Sequence, residues 1–134
     1  MQENSYIQVL IQSLHQKVEA LDSIIEKNQE QYEILSAEEA DMDAFEKNID
    51  EKSQYIDKIV FLDDGFEEIY TRVKEELDGN RAAYTEEIQK MKDLISMITE
   101  RSMKIQVQEQ RNKELAGMQF SKARKKIRDR KSVV

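Results

Sequence analysis

Proline, cysteine and tryptophan are absent from this chain of 134 residues, and glycine occurs only three times. Average usage would supply roughly seven prolines and nine glycines, the residues that punctuate turns and sheets. Their scarcity predicts an all-α fold, and the length suits one domain. Without cysteine there are no disulfides, thiol nucleophiles or zinc–thiolate sites. The longest aliphatic or aromatic run, Ile59 to Leu62, is far short of the roughly 20 residues that span a bilayer. Met1-Gln2-Glu3-Asn4 has neither the basic start nor the apolar run of a signal peptide. A soluble cytoplasmic protein is the expectation.

Charge is abundant but unevenly placed. Charged residues make up 37% of the chain and hydrophobic ones 39%, so any core is a narrow seam rather than a thick centre. Residues 1–100 carry 10 Lys and Arg against 25 Asp and Glu, whereas residues 101–134 carry 11 against 3. The body is acidic and the tail basic.

Apolar residues recur at spacings of three and four over three stretches. The first, about 5–35, carries Ile7, Leu10, Ile11, Leu14, Val18, Leu21, Ile25, Tyr32 and Leu35, interrupted only by Asn28, a polar seam position of the kind that sets register. Ser36-Ala37-Glu38-Glu39 then reads as a capping box that starts a second helix over about 37–62. Its seam is Met42, Phe45, Ile49, Ile56 and Ile59, with Lys52 between. Asp63-Asp64-Gly65 supplies the next boundary, since Asp64 can cap Glu67 and Gly65 permits a reversal. The third helix, about 64–112, has Phe66, Ile69, Val73, Leu77, Tyr84, Ile88, Met91, Ile95, Ile98 and Ile105, with a kink or a short turn expected at Asp78-Gly79-Asn80. The expected architecture is an antiparallel bundle or coiled coil of three long helices over 1–112, with a basic extension over 113–134. The third helix should outreach the others by on the order of 30 Å, leaving apolar groups for a partner.

No constellation carries catalysis or binds a metal or cofactor. His15 is the sole histidine and stands beside the first seam with no second imidazole to work with. A calcium loop beginning at Asp41 fails because Glu46 occupies the glycine position and Lys52 the position of the bidentate glutamate. Di-iron bundles need Glu-x-x-His, and Gln12 stands three residues before His15. Gly65, Gly79 and Gly117 are isolated, so no phosphate loop exists. The basic run Lys122, Arg124, Lys125, Lys126, Arg128, Arg130 and Lys131 lacks the apolar face of a membrane anchor, and an acidic body disfavours nucleic acid. Met91 belongs to the seam. Met97 and Met103 lie off it, and core filling and lining a groove for a partner helix explain them equally well.

Two series of residues resemble the FlgN/FliT-type flagellar export chaperones. One is Glu51-Lys52-Ser53-Gln54-Tyr55-Ile56-Asp57-Lys58-Ile59 followed by Leu62-Asp63-Asp64-Gly65-Phe66-Glu67-Glu68-Ile69-Tyr70; the other runs from Ile95 through Ser102-Met103-Lys104-Ile105-Gln106 to Glu109-Gln110-Arg111-Asn112. The resemblance implies a small cytoplasmic helical chaperone without enzymatic activity. Its expected client is the C-terminal helical region of a hook-associated or filament-cap protein, kept from premature assembly and delivered to the type III export apparatus. It also implies a C-terminal part that is mobile when free and binds client or export apparatus. Carried to this chain, the partner-binding residues are Ile98, Ile105, Val107, Leu115, Met118, Phe120 and Ile127. The tail ends at Val134, short of the further aromatic or polar residues expected of the family. The alternative reading is a coiled-coil homodimeric scaffold or adaptor whose seams bury against a second copy.

Overall fold

A computed structural model describes residues 2–133, with side chains described over 6–130. Lys131 and Val134, both part of the tail reading, lie outside the described side chains. The three helices are α1 (Gln2–Leu35), α2 (Met42–Gly79) and α3 (Thr85–Val133). α2 and α3 each pack along α1, while their own backbones do not approach each other.

Polar contacts fix both registers. Lys17 donates to Asp63 at 2.8 Å, Lys27 to Glu51 at 2.8 Å and Gln31 to Asn48 at 3.0 Å, so α2 runs antiparallel to α1. Arg101 donates to Asp22 at 3.2 Å and Gln119 to the Leu35 carbonyl at 3.0 Å, so α3 runs parallel to α1. From Gln119 to Val133, α3 reaches past the end of α1 by roughly 20 Å at 1.5 Å per residue. It continues through residue 112 without a break.

The helix boundaries differ from those the sequence suggested. The second helix does not stop at Leu62, because Ile59, Leu62, Phe66, Ile69, Val73 and Leu77 continue one stripe across Asp63-Asp64-Gly65. Leu62, Val73 and Leu77 are buried, and Phe66 and Ile69 pack on the core. Each such side chain contributes about 1.5–3 kcal/mol on burial, which outweighs the roughly 1 kcal/mol cost of a glycine within a helix. Asp64, the expected cap, lies in the interior of α2 with no helix start to cap, and its neighbour Asp63 is engaged by Lys17. The reversal falls instead at Asn80–Tyr84, where Ala83 donates to the Asn80 carbonyl at 2.9 Å and Tyr84 to the Arg81 carbonyl at 3.2 Å. Of the two outcomes expected at Asp78-Gly79-Asn80, the turn is the one that forms.

The capping box at Ser36 also fails to form. The Ser36 hydroxyl donates to the Tyr32 carbonyl at 2.6 Å, closing the last turn of α1, and residues 37–41 are not helical, so no helix starts at Ala37 for Ser36 to cap. Asp41 caps α2 instead, its carboxylate accepting from the Ala44 amide at 3.1 Å.

The bundle has two unlike halves. Near the α2–α3 turn, Ile7, Leu10, Leu14, Val73, Leu77 and Met91 form an apolar cluster. Toward the other end, beside Leu35, the buried side chains are mostly amides with one ammonium: Asn28, Gln31, Asn48, Lys52, Gln108 and Asn112. Lys52 donates to Asn28 at 3.1 Å, and the Asn28 amide donates to Gln108 at 3.3 Å. Asn48, Gln108 and Asn112 donate to the carbonyls of Lys27, Ile25 and Asn28 at 2.8, 3.2 and 2.9 Å. Such bonds hold only in one alignment, so they fix register as the lone Asn28 suggested.

Candidate partner-binding surface

The polar half determines which apolar residues remain outside. Asn48 and Lys52 point at α1, so the stripe expected to be the seam of α2 is only partly covered: Phe45 and Ile59 are half-buried, whereas Met42, Ile49 and Ile56 are exposed. Met42, Ile49, Ile56 and, two heptads on, Tyr70 are 37–45% exposed. This is a correction to the expected core, and it follows from Lys52 satisfying the Asn28 side-chain oxygen and Glu109. The sequence signal was present in the interval of seven from Met42 to Ile49 to Ile56, a second stripe beside the one containing Asn48 and Lys52.

The seven residues anticipated on α3 fall into three groups. Ile98 packs against the apolar cluster, and Ile105 and Leu115 are half-buried. Val107 and Met118 are exposed, as is Met103, four residues before Val107. Phe120 and Ile127 are also exposed, and at an interval of seven they share one side of α3. No single face unites all seven.

Two cavities lie between α3 and the α2 side of the bundle. One, of about 900 Å³, is lined by Met42 and the preceding Glu38-Glu39-Ala40 on one wall and by Phe120, Ala123 and Lys126 of α3 on the other. The second, of about 250 Å³, joins Phe66, Tyr70 and Leu77 of α2 to Ile88, Met91 and Ile95 of α3. Lys52 bridges the walls midway, donating to Glu109 at 2.7 Å.

Electrostatics ties the start of the basic run to the α1–α2 connection. The Gln119 amide donates to the carbonyls of Leu35 and Ala37 at 3.0 and 2.8 Å, and its oxygen accepts from the Ala40 amide at 3.4 Å. Lys126 pairs with Glu39, and Lys122 donates to the Glu38 carbonyl at 3.5 Å. Nearby, the Arg111 guanidinium stacks over the Tyr32 ring at 3.8 Å. His15 faces solvent, 3.7 Å from Glu19. Among the described residues, no group of three or more His, Cys, Asp or Glu is placed to hold a metal ion, and no helix is long and apolar enough to cross a membrane.

The surface on offer is therefore helical and apolar, set on an acidic body, and suited to holding another helix. No curated protein matches the chain, and neither does any solved structure. The protein family described as FlgN protein does match, over residues 1–127. That match spans nearly the whole three-helix structure, and the chain belongs to the FlgN family of flagellar export chaperones.

Proposed function

We propose that this protein acts in the cytoplasm, without enzymatic activity, as the chaperone of a hook-associated or filament-cap protein. It binds the client's C-terminal helical region, keeps it from assembling early and hands it to the type III export apparatus. One observation carries the reading: large apolar side chains of α2 and α3 stand exposed on a chain in which 37% of residues are charged. Isolated exposed apolar residues need no explanation, but a set spaced along two adjacent helices is what an amphipathic helix docks against. On α3 the candidate contacts are Phe120 and Ile127 on one face and Val107 and Met118 on another, with Ile98, Ile105 and Leu115 supporting them from the half-buried side. Burial of the client's own stripe removes the surface through which it would assemble.

Calorimetric titration of the full chain with peptides covering the C-terminal helices of the hook-associated and filament-cap proteins of the same bacterium tests this. A one-to-one complex is expected. Absence of binding to every peptide at tens of micromolar would overturn it.

A further inference from the structure

We infer that the client helix lies in the channel between α2 and α3, where it serves as the fourth helix of the bundle. The inference rests on the chaperone reading and deepens it by assigning the seat and the chemistry of the occupant. Two helices on a common partner leave one gap, and here it is between α2 and α3, which have no Cα atoms within 8 Å of each other. Both cavities open into that gap. The larger brings Met42 opposite Phe120 and Ala123, and the smaller brings Tyr70 opposite Ile95. The Lys52–Glu109 pair joins the same two walls between them. The two cavities thus lie along one groove, crossed between them by the buried Lys52 and its partner Glu109.

Its walls repeat with the same period. Met42, Ile49 and Ile56 recur every seven residues along α2, and Tyr70 keeps the phase; Ile95, Ser102, Glu109, Ala116 and Ala123 do so along α3. A repeat of seven on both walls is the complement of a helix whose own apolar residues recur every three and four. Ser102, Ala116 and Ala123 are small, which allows such a helix to approach α3 closely. From Met42 to Tyr70 the channel is roughly 40 Å long, room for a helix of about 28 residues.

Charge selects the occupant. Residues 42–79 carry 12 acidic and 5 basic side chains, so α2 as a whole is negative. Residues 85–121 of the α3 wall carry six of each. The fitting occupant is an amphipathic helix with Lys or Arg along the edge that faces α2. A second copy of this chain, meeting stripe to stripe, would instead place two acidic α2 helices side by side, which like-charge repulsion opposes.

The test uses the full chain with Ile49 and Ile56 both changed to Asp, and Phe61→Asp as control. Phe61 is 76% exposed and points about 140° around α2 from Ile56. Because all three side chains are already exposed, helical content by circular dichroism should match wild type. The client peptide should bind the double variant about tenfold or more weakly, while Phe61→Asp binds normally. Since the chain has no cysteine, Ile56→Cys also permits a proximity test, in which a bromoacetylated client peptide should attach there and not at Phe61→Cys. Binding unaffected by the double change but lost with Val107→Asp would overturn the channel and leave the chaperone reading intact. A wild-type dimer in light scattering that the double change splits would assign the channel to a second copy and overturn the inference. Failure of every client peptide to bind the wild type would overturn the chaperone reading, and this inference with it.

Discussion

Lys52 donates to the side-chain oxygen of Asn28 at 3.1 Å, and the same ammonium reaches Glu109 at 2.7 Å, so one buried lysine ties all three helices. Removing one member of such a set leaves the others buried without partners, a larger loss than the bond itself. Asn28→Leu should cost about 2 kcal/mol in urea unfolding, because Lys52 and Gln108 both lose a partner. Adding Lys52→Met should recover part of that cost, since the buried ammonium that has lost its Asn28 partner is then gone. Strictly additive effects in this double-mutant cycle would show that the contact carries no coupling.

Gly65 tests where the chain turns. It sits within α2, has no positive φ, and a Cβ added there meets no atom within 4 Å. Gly65→Ala should therefore stabilise the protein by about 1 kcal/mol, through helix propensity and the lower entropy of the unfolded chain. A loss of stability would place a reversal at Asp63-Asp64-Gly65 after all.

These two sites show which features periodicity reveals. The seam of α1 was legible because Ile7, Leu10, Leu14, Val18, Leu21 and Leu35 are buried by their spacing alone. The inward face of α2 was legible only in part, because Phe45, Lys52 and Ile59 of its expected seam are at least half-buried while Met42, Ile49 and Ile56 are exposed. What turns Lys52 inward is its partners, Asn28 and Glu109, which lie 24 and 57 residues away in sequence. Likewise Asp64 resembles a cap until the stripe on either side of it, Leu62, Phe66 and Ile69, is seen to pack on the bundle and carry α2 straight through. The exposed groups on α3 were legible individually, but their division between the channel and the outer face depends on where α1 and α2 lie.

Lys27 and Glu51 provide a pH-dependent contact between α1 and α2. The hydrogen bond from Lys27 holds the Glu51 carboxyl below the usual glutamate range against the opposing effect of burial, and the charges of Lys27 and Lys47 assist. The hydrogen bond to Glu51 raises Lys27 above the usual lysine range; burial opposes this, and Glu30 adds to the rise. Glu51 therefore contributes stability that is present above the ordinary glutamate pKa and lost as pH falls through its lowered native value. Lys27 contributes fully at neutral pH and loses its share only in alkali, as pH rises through its raised value. Glu51→Gln should flatten the acid limb of the stability–pH curve measured by thermal unfolding at low salt. Superimposable acid limbs for variant and wild type would show that the pair contributes nothing.

Gln119 marks the last point at which α3 is fastened to the α1–α2 connection through both ends of one amide. Beyond it, residues 120–130 are exposed apart from partial contacts, and the ties at Lys122 and Lys126 are surface interactions of small energy. Backbone protection follows buried contact and hydrogen bonding, so amide exchange should be slow through Asn112, intermediate to Gln119, and fast over 120–130 in the free protein. Gln119→Ala leaves Asn112, which donates to the Asn28 carbonyl at 2.9 Å, as the nearest buried anchor. The protected boundary should then retreat by about two turns toward Asn112. Client peptide in the channel contacts Phe120 and should slow exchange there in wild type. Equal protection along 100–130 in the free chain, or a boundary that Gln119→Ala does not move, would show that this amide is no anchor.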